Sequence, residues 1–163
     1  METEERLDLH SQLYLALTKL GIEPTMESLP DRKRIQKLVY LLKIVGIDFG
    51  FEYNWHIHGP YSPQVTKNMF DIFERNFRID YSIKLGGDRE HKINSLRTRL
   101  GKLIYSVDEL ELITSMIFLK KTIGVKKGFK REVSSLLRLK KPHFKDTHVK
   151  NRWKLVAEIE KIA

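Results

Sequence analysis

Apolar residues recur every three or four positions along most of this chain, and this period limits the fold more than any other feature. The first stripe lies on a helix predicted from about Leu7 to Leu20 and consists of Leu9, Leu13, Leu17 and Leu20. The second lies on a helix predicted from about Leu29 to Val45 and consists of Ile35, Leu38, Leu42 and Val45. Ser28 and Asp31 at its start have capping-box spacing. Each stripe must be buried against another element, so helices packed on one another are expected.

Four more helices are predicted from their start signals and spacing. Ser62 followed by Pro63 has the pattern of an N-cap and a first helical residue, and apolar spacing continues that helix to about residue 73. Ser106 and Glu109 again have capping-box spacing. The last three helices are predicted at about 106–122, 129–139 and 147–162.

Two segments alternate instead, with the period of a strand. In residues 51–57 the side chains that share the apolar face are Phe51, Tyr53, Trp55 and Ile57. The pair Gly59-Pro60 is interpreted as the turn that ends this strand. Residues 78–85 alternate in the same way, and a short strand at 91–96 would complete a hairpin with them.

Together these elements predict an α+β fold that is mainly helical. The front half, residues 1–100, would form a winged-helix-like core with a small antiparallel sheet, in which the strand pair within 78–96 is the wing. The back half, residues 101–163, would be helical and basic. A length of 163 residues is typical of one domain, so we predict a single domain over 1–163.

The composition excludes several classes of protein. The chain has no cysteine, which excludes a disulfide scaffold, a thiolate zinc site and a cysteine nucleophile. Its first five residues include three glutamates and no basic residue, unlike the basic start of a secretory signal. Its apolar runs are far shorter than the roughly 20 residues that span a bilayer. We therefore expect a cytoplasmic protein without a membrane partner.

The positive charge is concentrated in one segment. The chain carries a net charge of +9, but residues 120–154 alone carry 13 Lys and Arg against 2 Asp and Glu, a net +11. Such a field attracts polyanions, so DNA or RNA is the expected partner. The alternative is a solvated lysine-rich face without a partner. The residues predicted to contact phosphates are Lys126, Lys127, Lys130, Arg131, Lys140, Lys141, Lys145, Lys150 and Arg152, and Lys154 adds to their reach.

The helix that follows Ser62 has features of a recognition helix. It is amphipathic, and Gln64, Lys67 and Asn68 lie early enough in it to reach base edges. An ordinary packing helix would show the same pattern, so both interpretations stay open.

Signs of catalytic or metal chemistry are weak. His56 and His58 lie two residues apart on one face of the predicted strand, and imidazole is a common zinc ligand. A structural zinc site needs four ligands and two histidines are local, so we expect no metal and no cofactor. The chain has no G-x-S-x-G, H-E-x-x-H or Walker A motif. A metal-dependent enzyme that uses these histidines is therefore the least favoured alternative.

Two neighbouring motifs resemble those of a known family. The stretch RKRIQKLVYLL at 32–42 is followed by FEYNWHIHGPYSP at 51–63. This order of helix, aromatic strand and Gly-Pro turn resembles the Panacea domain of SocA-type antitoxins and the related YwgA-like proteins. The resemblance covers about residues 30–76, and its motif residues are Lys37, Tyr40, Gly59, Pro60 and Tyr61. It implies a non-catalytic domain that, in some antitoxins, neutralises a toxin by contact.

We therefore expect a non-enzymatic nucleic-acid-binding protein, with a regulatory or defence-linked role that the resemblance alone implies. The main alternative is an antitoxin or adaptor that acts by protein–protein contact. Its basic segment would then meet an acidic protein surface.

Overall fold

The computed structural model describes the backbone of residues 2–163 and the side chains of residues 8–163. The described residues form helices joined by turns and loops, with one small antiparallel sheet near the middle of the chain. In chain order the elements are α1 (Glu2–Lys19), α2 (Leu29–Ile44), β1 (Asn54–His56), β2 (Gly59–Tyr61), α3 (Pro63–Glu74), α4 (Gly87–Leu100), a 3-10 helix (Gly101–Tyr105), α5 (Val107–Ile123), α6 (Phe129–Lys140) and α7 (Asp146–Glu160). The fold is therefore mainly helical, as predicted.

Capping residues identified in the sequence start two of the helices. Ser28 Oγ accepts a hydrogen bond from the Asp31 N–H at 3.1 Å, and the Asp31 carboxylate accepts one from the Ser28 N–H at 3.2 Å. This confirms the capping box before α2. Ser106 Oγ accepts from the Glu109 N–H at 3.3 Å. The Glu109 carboxylate, however, binds Arg152 in α7, so only half of the second predicted box forms.

Helix α5 is the centre of the fold. Its residues 110–119 are buried apart from the half-buried Phe118, as expected for a helix that is apolar on most sides. It packs against α2, α6, α7 and β2. One cluster of buried apolar side chains extends from Leu13 in α1 to Ile159 in α7, so the front and back halves of the chain share it.

The strand predicted at 51–57 is observed only at Asn54–His56. Strands β1 and β2 pair antiparallel and form what we call the hairpin, with Trp55 opposite Pro60. The predicted turn at Gly59-Pro60 is wrong, because both residues belong to β2 and the turn lies at Ile57 and His58. Ile57, expected on the buried face, is therefore 73% exposed at the hairpin tip.

The predicted strand pair within 78–96 is wrong. Among the described residues, 78–85 contain no strand, and 91–96 belong to α4. Ile93 and Leu96 are buried at helical spacing, Gly86 is the N-cap, and Asp88 and Glu90 lie in the first turn, where the helix dipole favours carboxylates. These helix signals outweigh a short alternating pattern. Within the described residues, the wing of the predicted winged-helix-like core is therefore missing.

The predicted helices α3, α6 and α7 are confirmed to within about two residues, whereas α1 starts at Glu2, five residues before the predicted start at Leu7. Helix α3 starts after Ser62, α6 ends before Pro142, and α7 buries Trp153, Val156 and Ile159. Over the part of the chain that the structure describes, no helix has the length and apolar content needed to cross a membrane.

Candidate functional site

Most of the predicted phosphate-contacting cations are exposed on α6, on α7 and on the turns before them. We define the basic surface as seven of these side chains, namely Lys127, Lys130, Arg131, Lys140, Lys145, Lys150 and Lys154. They point outward because Val133 and Leu137 of α6 and Trp153 of α7 take the buried positions. Lys130 Nζ lies 5.7 Å from the centroid of the Trp153 ring, so a cation of α6 reaches across to α7.

The two acidic residues of 120–154 are already engaged. Lys126 is exposed, and its Nζ lies 3.3 Å from the Glu132 carboxylate. Arg138 pairs with Asp146 at 2.9 Å. An exposed pair of this kind contributes at most about 1 kcal/mol, so Lys126 can exchange its partner for a phosphate. No cation of the basic surface forms an ion pair with a carboxylate of residues 8–163.

Two predicted phosphate contacts lie elsewhere. Lys141 is 3% exposed, and its Nζ lies 2.6 Å from the Glu111 carboxylate and also donates to the Ile57 carbonyl. The prediction for Lys141 is wrong, because the chain turns inward where α6 ends and buries the ammonium against a carboxylate. Arg152 is half-buried and donates to the Glu109 carboxylate at 2.8 and 3.1 Å. The hydrogen bond from Arg152 is the largest cause that holds the pKa of Glu109 below its usual value.

The predicted base-reading residues of α3 are not brought together with the basic surface. Helix α3 packs against α1 and α2, whereas α6 packs against α5 and α7. Gln64 Oε1 accepts a hydrogen bond from the Glu52 N–H at 2.8 Å, and the Asn68 amide donates to the Gln64 carbonyl at 2.7 Å. Lys67 is exposed. These bonds favour the packing interpretation of this helix.

A second group of polar side chains lies beneath the hairpin and includes residues of the family motif. Lys37 is 1% exposed, and its Nζ donates to the Pro60 carbonyl at 2.9 Å. The Gln36 amide donates to the Ser62 carbonyl at 2.8 Å and accepts from the Ser62 N–H at 3.0 Å. Side chains of α2 thus hold the backbone of β2 and the residue after it, whose buried polar groups need partners.

Gly59 lets β2 approach α5 closely. Its φ is +90°, and a Cβ at this position would lie 2.8 Å from Ser115 Oγ and 3.4 Å from Lys37 Nζ. A positive φ and a contact this short both favour glycine. Backbone geometry and packing therefore explain this motif residue.

Two ammonium groups and one carboxylate are buried together here, and we call Lys37, Glu111 and Lys141 the hairpin cluster. Their exposed fractions are 1%, 4% and 3%. Burial lowers the pKa of Lys37 to about 7, with Glu111 opposing the shift and Lys141 and Lys33 adding to it. At neutral pH the Lys37 amine is therefore partly deprotonated.

A cavity of about 230 Å³ opens beside this cluster, and we call it the hairpin pocket. Its basic lining consists of Arg32, Lys33, Lys37, His56 and His58, and its apolar and aromatic wall consists of Leu29, Tyr61 and Phe70. Among the described residues, no acidic side chain lines it. Burial, followed by the charge of Lys33, lowers the pKa of His58. The pocket is therefore a positively charged recess with one apolar side.

The two motif tyrosines have different surroundings. Tyr40 is 4% exposed and its ring lies 4.9 Å from that of Tyr53, edge to face. Burial raises the pKa of both phenols. The Tyr61 hydroxyl is hydrogen-bonded to Thr66 at 3.0 Å, and its ring lies 4.9 Å from that of His56. Tyr40 thus fills the core, whereas Tyr61 belongs to the pocket.

The two hairpin histidines lie with their ring centroids 6.2 Å apart. Within the described part of the chain, no group of three or more His, Cys, Asp or Glu side chains is placed to hold a metal ion. His148, on α7, is hydrogen-bonded to Glu109 at 2.6 Å.

The sequence patterns did not point to Glu111 or Ser115 as parts of a site. One signal was available, because Glu111 is a carboxylate inside a strongly apolar run of α5. A buried carboxylate needs a partner, and a basic side chain elsewhere in the chain can supply it.

A comparison with known proteins found a similar sequence. Over 67 residues, or 41% of this chain, it is 28% identical to the uncharacterized protein YwgA of Bacillus subtilis (strain 168). The matched part spans 40% of the length of that relative. No protein-family model matches the chain, and no solved structure matches it. The chain is thus similar to YwgA over part of its length.

Proposed function

We propose that this chain is a non-enzymatic, cytoplasmic protein that binds DNA or RNA through its basic surface. The observation that carries this proposal is the placement of seven exposed cations on one pair of helices and the adjoining turns, without ion-pair partners among the described carboxylates. Phosphates match such cations in charge, and contacts to the nucleic-acid backbone carry no base preference. Affinity should therefore depend steeply on salt and weakly on base sequence.

A winged-helix-like mode of binding, with α3 as the recognition helix, is the less favoured form of this function. The Gln64 and Asn68 side chains are engaged within the chain, so base readout would first have to break those contacts. Binding through α6 and α7 needs no such change.

Fluorescence anisotropy with duplex DNA, single-stranded DNA and RNA, each titrated with salt, tests the basic surface. If six of its cations contact phosphates of duplex DNA, the logarithm of the affinity falls with the logarithm of salt concentration with a slope of about −5. The variant Lys127→Gln, Lys130→Gln, Arg131→Gln, called the basic-surface variant, should make that slope shallower by about 3.

A matched control removes two exposed lysines and one exposed arginine elsewhere, as Arg78→Gln, Lys84→Gln, Lys102→Gln. It changes the net charge by the same amount, so we expect it to keep the wild-type slope. If the basic-surface variant binds as tightly as the wild type and with the same slope, nucleic-acid binding through this surface is contradicted.

A second candidate function is that of an antitoxin or adaptor that acts by protein–protein contact. It rests on the resemblance to the Panacea domain of SocA-type antitoxins and on two exposed apolar residues. Ile57 is 73% exposed at the hairpin tip, and Leu139 is 80% exposed near the end of α6. Lys141, which follows α6, donates a hydrogen bond to the Ile57 carbonyl and so connects these two places. A protein partner would remove such side chains from water. Purification from the native host would favour this candidate if a stoichiometric protein co-purified, and the first if nucleic acid did.

A further inference from the structure

The hairpin pocket is a second place in this molecule that fits an anion, and its position separates it from the basic surface. It lies where the start of α2 meets the hairpin, on the face of β1 that carries His56. Lys140 lies over the ring of Trp55, on the opposite face of that strand. We infer that this pocket binds a nucleoside monophosphate, with the phosphate held by Lys33 and the hairpin histidines and the base held by the apolar wall.

The charge around the pocket lacks a counter-ion. Lys33 forms no ion pair with a carboxylate of the described residues. Glu111, the buried carboxylate of the hairpin cluster, lies 2.6 Å from Lys141 and is already paired. Lys37 is buried at the inner end of the pocket, where its ammonium meets a backbone carbonyl. A phosphate in the pocket would supply the missing negative charge through charge-assisted hydrogen bonds.

The shape of the pocket favours a ligand with a ring over a bare anion. A volume of about 230 Å³ is below the roughly 300–1,000 Å³ of most drug-sized sites, so it encloses a small ligand or part of one. The Tyr61 ring presents a flat surface to the pocket, and the half-buried Phe70 lines the same wall. Leu29 remains 51% exposed at the rim. A nucleobase would stack on these groups, whereas inorganic phosphate would leave them in water.

The same chemistry occurs in a free nucleotide and at the 5′-phosphorylated end of a nucleic-acid strand. In either case the pocket takes one phosphate and one base. The inference does not depend on the function proposed above, because the pocket and the basic surface share no residue.

Isothermal titration calorimetry of the full chain with AMP, adenosine and inorganic phosphate tests the pocket. AMP should bind at one site per chain and more tightly than either of its parts. Lys33→Gln should weaken AMP binding about tenfold or more, because it removes a charge-assisted hydrogen bond. The exposed lysine variant Lys84→Gln is the matched control and should bind AMP like the wild type.

A second variant protects the test against a folding defect. His56 is exposed on the hairpin, so His56→Gln should leave the thermal unfolding midpoint unchanged while weakening AMP binding. The inference is overturned if AMP fails to bind at millimolar concentration, or if both variants bind it as the wild type does. Equal affinity for AMP and inorganic phosphate overturns the nucleoside part.

Two further measurements identify the source of the ligand and separate the two sites. A preference for a 5′-phosphorylated oligonucleotide over the unphosphorylated one, lost in Lys33→Gln, supports the pocket and identifies a strand end. AMP binding without that preference supports it and identifies the free nucleotide. The basic-surface variant should keep AMP binding, and Lys33→Gln should keep most of the salt slope. Failure at one site can therefore be told from failure at the other.

Discussion

The hairpin cluster allows a quantitative test of how buried charge is balanced in this fold. Glu111 is its one carboxylate, and it faces the buried amines of Lys37 and Lys141. Because burial holds the pKa of Lys37 at about 7, the unfolding experiments are made at about pH 6, where Lys37 is a cation. The substitution Glu111→Gln keeps the shape of the side chain and removes its charge. Removal of one partner from a buried ion pair typically costs about 3–5 kcal/mol, because the other charge stays buried without compensation. We expect the free energy of unfolding to fall by about this amount.

Removal of the lysine partner should lower the free energy of unfolding by less than removal of the carboxylate. Lys141→Met leaves Glu111 with Lys37, whose charge already interacts with the same carboxylate. One anion and one cation then remain, so we expect a loss of about 1–3 kcal/mol. The double variant Glu111→Gln, Lys141→Met should be more stable than Glu111→Gln alone, since it also removes one of the stranded charges.

Urea unfolding followed by far-UV circular dichroism measures these free energies from the midpoint and slope of each transition. The control is the pair of Lys120 and Glu160, which are 2.7 Å apart but whose side chains are 17% and 23% exposed. Glu160→Gln should cost no more than about 1 kcal/mol. A loss below about 1 kcal/mol in Glu111→Gln would refute this account of the cluster, as would a larger loss in Lys141→Met.

Three further predictions concern pH and packing. Burial holds the pKa of Lys37 at about 7 in the folded chain, below the roughly 10.4 of an unfolded lysine, so the unfolded state binds more protons between these values. The free energy of unfolding of the wild type should therefore rise from pH 7 to about pH 10. The urea midpoint of Lys37→Met should rise less over this range than that of the wild type, and an equal rise in both would contradict this explanation. In thermal unfolding, Gly59→Ala should lower the stability by about 2–4 kcal/mol, because it adds both a close contact with Ser115 and backbone strain. Adding Ser115→Ala removes the contact but not the strain, so it should restore only part of the stability. Full recovery would contradict the strain. The lowered pKa of Glu109 means that its stabilising effect is present above about pH 4.3 and is lost as the pH falls through the folded pKa. Acid titration followed by circular dichroism should show a smaller loss of stability in Glu109→Gln than in the wild type.

The helices were predictable where local and tertiary preferences agree. At Ser28 and Ser106 the cap residue, the charge of the first turn and the apolar stripe that follows all indicate the same start. Residues 78–85 show why the predicted strand pair within 78–96 is wrong. An extended loop with one inward side chain, here Leu85 at 7% exposed, alternates like a strand, and no local pattern supplies the pairing strand.

The residues of the candidate sites also differ in how far the sequence predicts their positions. Exposed lysines follow from composition, because lysine is rarely buried, and six of the cations predicted to contact phosphates lie on the basic surface. Lys141 departs from this rule without any local signal. Its burial depends on a carboxylate thirty positions earlier and on a carbonyl at the hairpin tip. Pairing between distant elements was therefore the part of the site that spacing along the chain did not indicate.

The family resemblance and the basic surface belong to different parts of this molecule. Residues 30–76 contain the hairpin, α3 and all of α2 except its first residue, Leu29. They therefore include every residue that lines the hairpin pocket except Leu29. None of the basic surface lies within them. A protein that shares only these motifs has the residue types that place the hairpin, such as Lys37 and Gly59, but need not carry the cations of α6 and α7. Nucleic-acid binding through those cations would then be particular to chains with this back half, whereas pocket binding would extend to relatives that share the front half alone.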